Sequence, residues 1–311
     1  MTPFTVLATG PSGPVEELAP LRDAGLDVVL ASHLELMSRP VLAASERLQL
    51  VIVPFIGVDK INVAAATELG VLVANSPTPE NFVAVAEATV GLLLMLLKRV
   101  KHNEAKLRGG AWAQRDDRGD FLFGKTVGLV GLGRVGSRVA RRLAGWDVRL
   151  LATDPYVDPA RAAELDVTLV DLPTLLAESD IVSLHPALTD ETRRMIDEKA
   201  LRAMKPTAML VNTARGEVAD EHAVARAVAE RSIAGAALDA FTKEPLPADS
   251  PLRRVDPERM ILTPHNVAHS EAGRRANLAL ALEQILALAR GDVPAHVVNP
   301  AAIPRWRARR S

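Results

Sequence analysis

Four polar positions follow apolar, strand-like runs late in the chain. Arg215-Gly216 comes after MLVNTA, Asp239 closes AALD, Glu244 stands between Lys243 and Pro245, and His265 follows ILTP. Open α/β sheets bind their ligands beyond the carboxyl ends of the strands, so these are the positions to read for chemistry. An arginine there can fork onto a carboxylate and polarise the carbonyl beside it. A histidine titrates near working pH and can carry a proton, while a carboxylate on its other ring nitrogen fixes the tautomer and favours imidazolium. Arg215, His265 and Glu244 thus have the types needed to hold a small 2-hydroxy or 2-oxo acid and to move the proton that accompanies hydride transfer at C2. Asp239 could accept from the carboxamide of a nicotinamide. Each has a plainer reading alone: loop arginine, surface-turn acid, helix cap or ion pair, satisfied loop histidine. Their joint placement after successive strands favours chemistry.

Hydride transfer of this kind needs a dinucleotide, and an earlier stretch fits one. KTVGLV runs directly into Gly131-Leu132-Gly133-Arg134-Val135-Gly136, and a helical pattern follows through Ala144. Gly131 permits a tight turn, Gly133 lets backbone approach a pyrophosphate, and Gly136 lets helix pack on strand. The helix start offers amide N–H groups and a positive dipole end to the phosphates. The next strand, DVRLLATD, ends at Asp154, close to the roughly 20 residues at which a carboxylate accepts from the adenosine ribose. A 2′-phosphate would place like charges together there, so the expected cofactor is NAD rather than NADP.

To position these groups the chain alternates strands with crossover helices, the rhythm of parallel α/β sheets covered on both faces. Strand-like runs occur at Thr5–Ala8, Val28–Leu30, Leu50–Val53 and Val71–Ala74. A helix then starts near Glu80 and runs toward Arg108, where Gly109-Gly110 stops it, long enough to link two lobes. Its apolar stretch Val90–Leu97 is far shorter than the ~18 residues of a spanning helix and reads as buried. Six strands are expected in a second series, near Thr126–Val130, Val148–Ala152, Ile181–Leu184, Met209–Asn212, Ala236–Leu238 and Met260–Leu262. A long helical pattern, Glu271–Leu288, ends at Gly291, and the tail Pro294–Pro304 is expected to return to the first lobe. The division read from this pattern is 1–97 with 290–311 as substrate domain and 98–289 as NAD-binding domain.

Bulk composition excludes more than it assigns. With 37 Lys+Arg against 38 Asp+Glu the chain has no electrostatic footprint for nucleic acid or an anionic membrane. The locally basic end, Arg305–Arg310, reads as a short solvated tail. Zero cysteines remove disulfides, thiolate nucleophiles and cysteine-ligated metals together. His269 follows His265 at i+4, but without an HExxH context no metal is expected. His33, His102, His222 and His296 lack supporting neighbours in sequence and read as surface or packing residues. The segment Met1–Thr9 has no basic n-region and soon meets Gly10, Pro11, Gly13 and Pro14, so no leader is expected and the location expected is cytoplasmic.

The strings GKTVGLVGLGRVG, VSLHPALTDETRRMID, MLVNTARGEVADE, AALDAFTKEPLP and ILTPHNVAHS resemble the ordered motifs of the D-isomer-specific 2-hydroxyacid dehydrogenases. IGVDKINVAAATELGVLVANSP with VAEATVGLLLMLLKR resembles their substrate-domain half. The resemblance runs from about Val53 to Pro300. It implies a two-lobed α/β protein, a Rossmann doubly wound NAD-binding domain beside a smaller flavodoxin-like substrate domain, with the active site in the cleft between lobes. Catalytic roles fall on Arg215, Glu244 and His265. Cofactor contacts fall on Gly131, Gly133, Arg134, Val135, Gly136, Asp154, His185, Thr213 and Asp239, and the substrate carboxylate on Arg215 and the backbone around Ile56, Gly57 and Val58. Lys98–Phe123 would form the arm of a homodimer. One departure is His185-Pro186, adjacent here where the family commonly has one residue between them. Two alternatives share the scaffold: a formate or phosphite dehydrogenase, the former pairing its histidine with glutamine where Glu244 stands, and a dinucleotide-sensing protein akin to transcriptional corepressors.

Overall fold

The computed structural model describes residues 5–8, 27–31 and 36–310; His33 and the Gly10–Pro14 stretch lie outside the described residues. The first elements are strands β1 (Val6–Ala8) and β2 (Val28–Leu30), helix α1 (Arg39–Leu42), strand β3 (Leu50–Ile52), helix α2 (Val63–Leu69) and strand β4 (Leu72–Ala74). Helices α3 (Pro79–Leu97) and α4 (Val100–Arg108) follow. Next come β5 (Thr126–Val130), α5 (Gly136–Leu143), β6 (Arg149–Thr153), α6 (Pro159–Ala163), β7 (Val167–Leu169), α7 (Leu172–Glu178) and β8 (Ile181–Leu184). Then α8 (Glu198–Ala203), β9 (Met209–Asn212), α9 (Glu221–Ala229), β10 (Gly235–Leu238) and β11 (Met260–Leu262) complete the series, and α10 (Glu271–Arg290) and α11 (Ile303–Ala308) come last. These elements divide into two compact units, Met1–Asn81 with His269–Ser311, and Phe82–Ala268.

In the first unit, β1, β2, β3 and β4 form a parallel sheet in that order. The parallel α/β character expected is present, and among the described residues the four strands fit the 1-3-4-5 part of the flavodoxin-like order 2-1-3-4-5. Burial follows the same order. Val28 and Val29 of β2 are buried, whereas Val6 and Ala8 of β1 are exposed, so the greasier strand takes the inner place. One sheet face packs Val29, Val51 and Val73 against Leu42, Ala65 and Ala66; the other packs Val28, Leu50 and Leu72 against Ile285, Leu288 and Trp306.

The returning tail packs on this unit, and its arginines are exposed as expected while the tryptophan among them is buried. Trp306 of α11 is only 2% exposed, and Arg310 stacks over its ring at 5.0 Å. Arg305 and Arg309 donate to the carbonyls of Glu68, Leu69 and Gly70, at the C-terminal end of α2 where backbone acceptors lack helical partners. Ahead of α11, Asn299 Oδ1 accepts from Val73 N at 2.8 Å and Val298 N donates to Val73 O at 2.8 Å, lining the outer edge of β4.

The second unit holds a seven-stranded parallel sheet in the order β11-β10-β9-β8-β5-β6-β7. Numbered within the unit this is 3-2-1-4-5-6-7, the doubly wound order with one strand added, and it places the topological switch between β5 and β8. The six expected strands are present. The seventh, β7, is a three-residue edge strand exposed at Thr168.

The expected single helix from Glu80 to Arg108 is two. Arg99 adopts φ 51° and separates α3 from α4, while Asp120 N donates to Leu97 O at 2.8 Å at the interruption. Helix α3 reaches 19 residues, long and apolar enough by length and composition to cross a membrane, further than Val90–Leu97 alone indicates. Leu92, Leu93, Leu96 and Leu97 are spent on the core with Leu129, Leu132 and Val139, which marks it as a core helix.

Candidate active site

The glycine loop joins β5 to α5. Gly131 has φ 92°, a left-handed conformation that other residues adopt only with strain, and a Cβ there would lie 3.0 Å from the carbonyl of His185. A Cβ on Gly136 would collide with the carbonyl oxygen of Gly131, so its immediate task is closure of the turn against the helix start. Around Gly133 a side chain would meet nothing within 4 Å, which leaves open space over the loop. No side chain caps α5 at Val135. Uncapped helix start, close backbone and open space suit a pyrophosphate.

Asp154, just past β6, is tied to this loop. Its Oδ2 accepts from Leu132 N at 2.8 Å and its Oδ1 from Tyr156 N at 2.9 Å. Each oxygen retains a lone pair for a ribose hydroxyl. Arg134 and Arg138 stack their guanidinium groups over Phe82, at 5.1 and 5.4 Å from the ring centre.

His185 sits at the end of β8 with its amide donating to Val130 O at 2.7 Å. Its Nε2 meets Ser183 Oγ at 2.9 Å, and its Nδ1 is buried without a partner. Burial pushes its pKa down to about 4, so the ring is neutral at pH 7. It therefore presents a dipole, not a cation.

At the end of β9, Asn212 shapes the turn that carries Arg215. Its Oδ1 accepts from Ala214 N at 3.0 Å and its Nδ2 donates to Arg215 O at 2.9 Å. Gly216 then passes so close to Phe241 and Thr242 that a Cβ would overlap their backbone. This approach draws the Arg215 turn against the segment that follows β10. Arg215 Nη1 donates to Ala214 O at 2.8 Å.

His265 has φ 53°, one of few non-glycine residues in the left-handed region among the described residues. Its loop is held from β10: Asp239 Oδ1 accepts from Thr263 Oγ1 at 2.6 Å, from Asn266 N at 3.1 Å and from Val267 N at 3.3 Å. Nδ1 of His265 lies 2.8 Å from Glu244 Oε1, which also accepts from Phe241 N at 3.0 Å. The hydrogen bond to Glu244 raises the His265 pKa, its burial and the nearby Arg215 charge oppose that, and Asp239 adds to the rise. Burial raises the pKa of Asp239 itself, with Thr263 and the loop amides countering. Sequence reasoning placed Asp239 toward a nicotinamide; its hold on the His265 loop was missed, although Asp at a strand end facing the next loop is the signal for it.

The structure brings Arg215, Glu244, His265 and Asp239 into one electrostatic neighbourhood, and Thr213, directly after β9, meets Thr89 at 2.8 Å. Ile56, Gly57 and Val58 belong to the first unit. There the Ile56 carbonyl accepts from Asn75 Nδ2 at 2.8 Å, and Ser76 N donates to Phe55 O at 2.8 Å, fixing the loop after β3 from the segment after β4.

His102 is corrected from a residue without neighbours. Its Nε2 is 2.7 Å from Asp117 Oδ1 and its Nδ1 2.6 Å from Glu258 Oε2, and the hydrogen bonds to Asp117 and Glu258 raise its pKa. Lys106 pairs with the same Asp117. Sequence distance hid this network. Among the described residues no group of three His, Cys, Asp or Glu side chains is placed to hold a metal ion.

The family model described as D-isomer specific 2-hydroxyacid dehydrogenase, NAD binding domain, matches residues 90–267. A D-3-phosphoglycerate dehydrogenase of Mycobacterium tuberculosis is 40% identical over 302 residues, covering 94% of this chain and 56% of the relative. The chain thus spans about half the length of such relatives. A glyoxylate reductase of Thermofilum pendens is 38% identical over 293 residues, covering 91% of this chain and 84% of the relative. Among solved structures, the D-lactate dehydrogenase of Aquifex aeolicus complexed with NAD and lactic acid aligns with a TM-score of 0.82 at 27% identity, covering 89% of each chain.

Proposed function

The chain belongs to the D-isomer specific 2-hydroxyacid dehydrogenase family, and on that premise we propose that it is an NAD-dependent oxidoreductase acting at C2 of a small D-2-hydroxy acid or 2-oxo acid. The observation that carries the reading is the His265 Nδ1 to Glu244 Oε1 contact at 2.8 Å, with Arg215 close enough to lower the His265 pKa. When bound, the nicotinamide accepts or supplies the hydride.

The chain's own residues do the rest. Glu244 engages Nδ1, so Nε2 of His265 is the nitrogen left to carry the substrate proton. Arg215 binds the substrate carboxylate and stabilises charge growing on the C2 oxygen. Backbone around Ile56, Gly57 and Val58 holds the same carboxylate. Gly131, Gly133, Arg134, Val135 and Gly136 take the pyrophosphate, Asp154 takes the ribose, and His185, Thr213 and Asp239 serve the nicotinamide half. Glu244, as a carboxylate, disfavours the formate branch.

Two further parts of the proposal concern setting. A homodimer arm over Lys98–Phe123 is supported by the exposure of Leu107, Trp112, Phe121 and Phe123, Trp112 reaching 79%. The cytoplasmic location expected from the sequence is retained. The direct test of function is NADH consumption across a panel including glyoxylate, hydroxypyruvate and pyruvate. Saturable turnover of at least one acid is expected; no turnover of any, with NADH bound, would replace the enzyme reading with a dinucleotide sensor.

A further inference from the structure

Helix α4 is inverted: its half-buried positions are Lys101, His102, Asn103 and Lys106, all polar, while its apolar Val100 and Leu107 are exposed. None of its residues is fully buried. A helix without an apolar anchor is held by whatever its polar face meets. Here that is the turn Arg115–Asp117 of the arm itself and, beyond it, the loop between β10 and β11. His102 touches both, with Nε2 at 2.7 Å from Asp117 Oδ1 and Nδ1 at 2.6 Å from Glu258 Oε2.

At each of these distances a proton must lie between nitrogen and carboxylate. An imidazolium has two N–H groups and a neutral imidazole has one, so both contacts hold only while the ring is a cation. On loss of a proton, one contact opens. Asp117 keeps the remaining N–H, because its side chain is 9% exposed against 40% for Glu258 and is already fixed by Lys106 and the Gln114 amide. Glu258 is left facing a bare Nδ1 that is screened from solvent, and it moves away.

The other charges around the ring do not replace that proton. Arg99 reaches Glu258 only at 3.7 Å, Lys101 donates to the Met260 carbonyl, and Arg259 faces Asp256 and Ala234 O. Glu104 and Arg108 pair with each other on the exposed side, where Arg115 and Asp116 also lie. The hydrogen bonds to Asp117 and Glu258 raise the His102 pKa, with desolvation and Arg99 opposing. The clamp is therefore complete below the ordinary histidine value and is lost as pH climbs through the raised one.

We propose that His102, as imidazolium, is a latch that fixes α4 to the β10–β11 loop, and that its deprotonation frees α4 and weakens pairing with a second copy through the arm. The effect on pairing rests on the homodimer proposed above; the latch itself does not.

The test compares about pH 6.5 with about pH 9.5, on either side of a raised histidine. Amide exchange of residues 99–108, corrected for intrinsic rate, reads the latch, and sedimentation velocity reads assembly. In the wild type, protection of α4 should fall about 5-fold or more at the higher pH, and the dimer dissociation constant should rise by a similar factor. His102→Gln, which takes up no proton, should give one level of protection at both pH values. Glu258→Gln should stay tight at both, because its amide donates to the bare Nδ1 and the contact no longer needs the second ring proton. A histidine that merely packs would show no such rescue. Wild-type protection that does not change with pH, or a pH effect that persists in Glu258→Gln, overturns the latch. A wild type that sediments as a monomer throughout overturns the homodimer reading, and amide exchange still decides the latch. A dimer equally tight at both pH values while α4 loosens overturns the link to assembly.

Discussion

Glu244 holds His265 by one oxygen and is itself held: the Oε1 that lies 2.8 Å from His265 Nδ1 also accepts the amide of Phe241 at 3.0 Å. The imidazole is therefore oriented by a carboxylate whose own direction is set by backbone at the end of β10. His265→Ala should lower turnover by about 100-fold or more while the NADH dissociation constant stays near wild type. Near-normal turnover in the purified variant would remove His265 from the proton path.

The pH profile follows from the same contact. Reduction of the oxo acid needs His265 protonated, so kcat/KM for reduction falls as pH rises through its pKa, and oxidation, which needs the neutral ring, falls as pH drops through it. Glu244 is the main cause of the raised value. Glu244→Gln should therefore move the reduction limb to lower pH and let oxidation persist to lower pH. Profiles measured in both directions check this; coincident wild-type and variant curves would assign the orientation of His265 to another group.

Arg215→Lys should raise KM and lower kcat together. A point charge cannot reproduce the fork that holds a carboxylate and polarises the neighbouring carbonyl. Steady-state kinetics on the best oxo acid decide it, and a small change in one parameter alone would make Arg215 structural.

Gly216→Ala tests how that arginine is delivered. The added Cβ meets the Phe241 and Thr242 backbone, which has no rotamer with which to yield. A cost of about 1 to 3 kcal/mol is expected from such overpacking. The expected readouts are a lower Tm by calorimetry and a raised KM for the acid, and a variant with wild-type Tm and KM would show that the two strand ends can part freely.

Asp154→Ala should relax cofactor choice, chiefly by improving KM for NADP, since the carboxylate no longer opposes a 2′-phosphate. The variant also frees the Leu132 amide that Asp154 now engages, so some loss with NAD is expected too. The ratio of kcat/KM for NAD over NADP in both proteins is the measurement, and an unchanged ratio would mean the ribose is read elsewhere.

Much of the site was legible because its residues are local punctuation of a repeating βα pattern. Gly131 and Asp154 each mark the end of an apolar run, as do Arg215, Asp239 and His265. What was not legible depends on pairing across distance. The strand β7, Val167–Leu169, is interrupted by the exposed Thr168, so no continuous apolar run marks it. The break at Arg99 comes from Asp120 meeting the Leu97 carbonyl, a partner no helical period announces. The anchoring of the exposed basic tail was hidden because its acceptors, the carbonyls at the end of α2, lie more than two hundred positions away. For Thr89, the apolar run around it reads as packing alone, and only the fold brings its hydroxyl to Thr213.

The segment that lines β4 also bears on how the protein is made. Strands β1 to β4 leave the ribosome ahead of the residues that complete them: the outer edge of β4 waits for Val298 and Asn299, and the sheet face under Leu50 and Leu72 waits for α10 and Trp306. Meanwhile the contiguous stretch Phe82–Ala268 holds everything its own sheet needs and is free to fold as it emerges. Early in translation the nascent chain thus carries an unpaired parallel edge, a template for misassociation on crowded polysomes. Slow elongation through α10, or release of a chain that stops short of Asn299, would prolong that exposure and hand the unfinished sheet to chaperones.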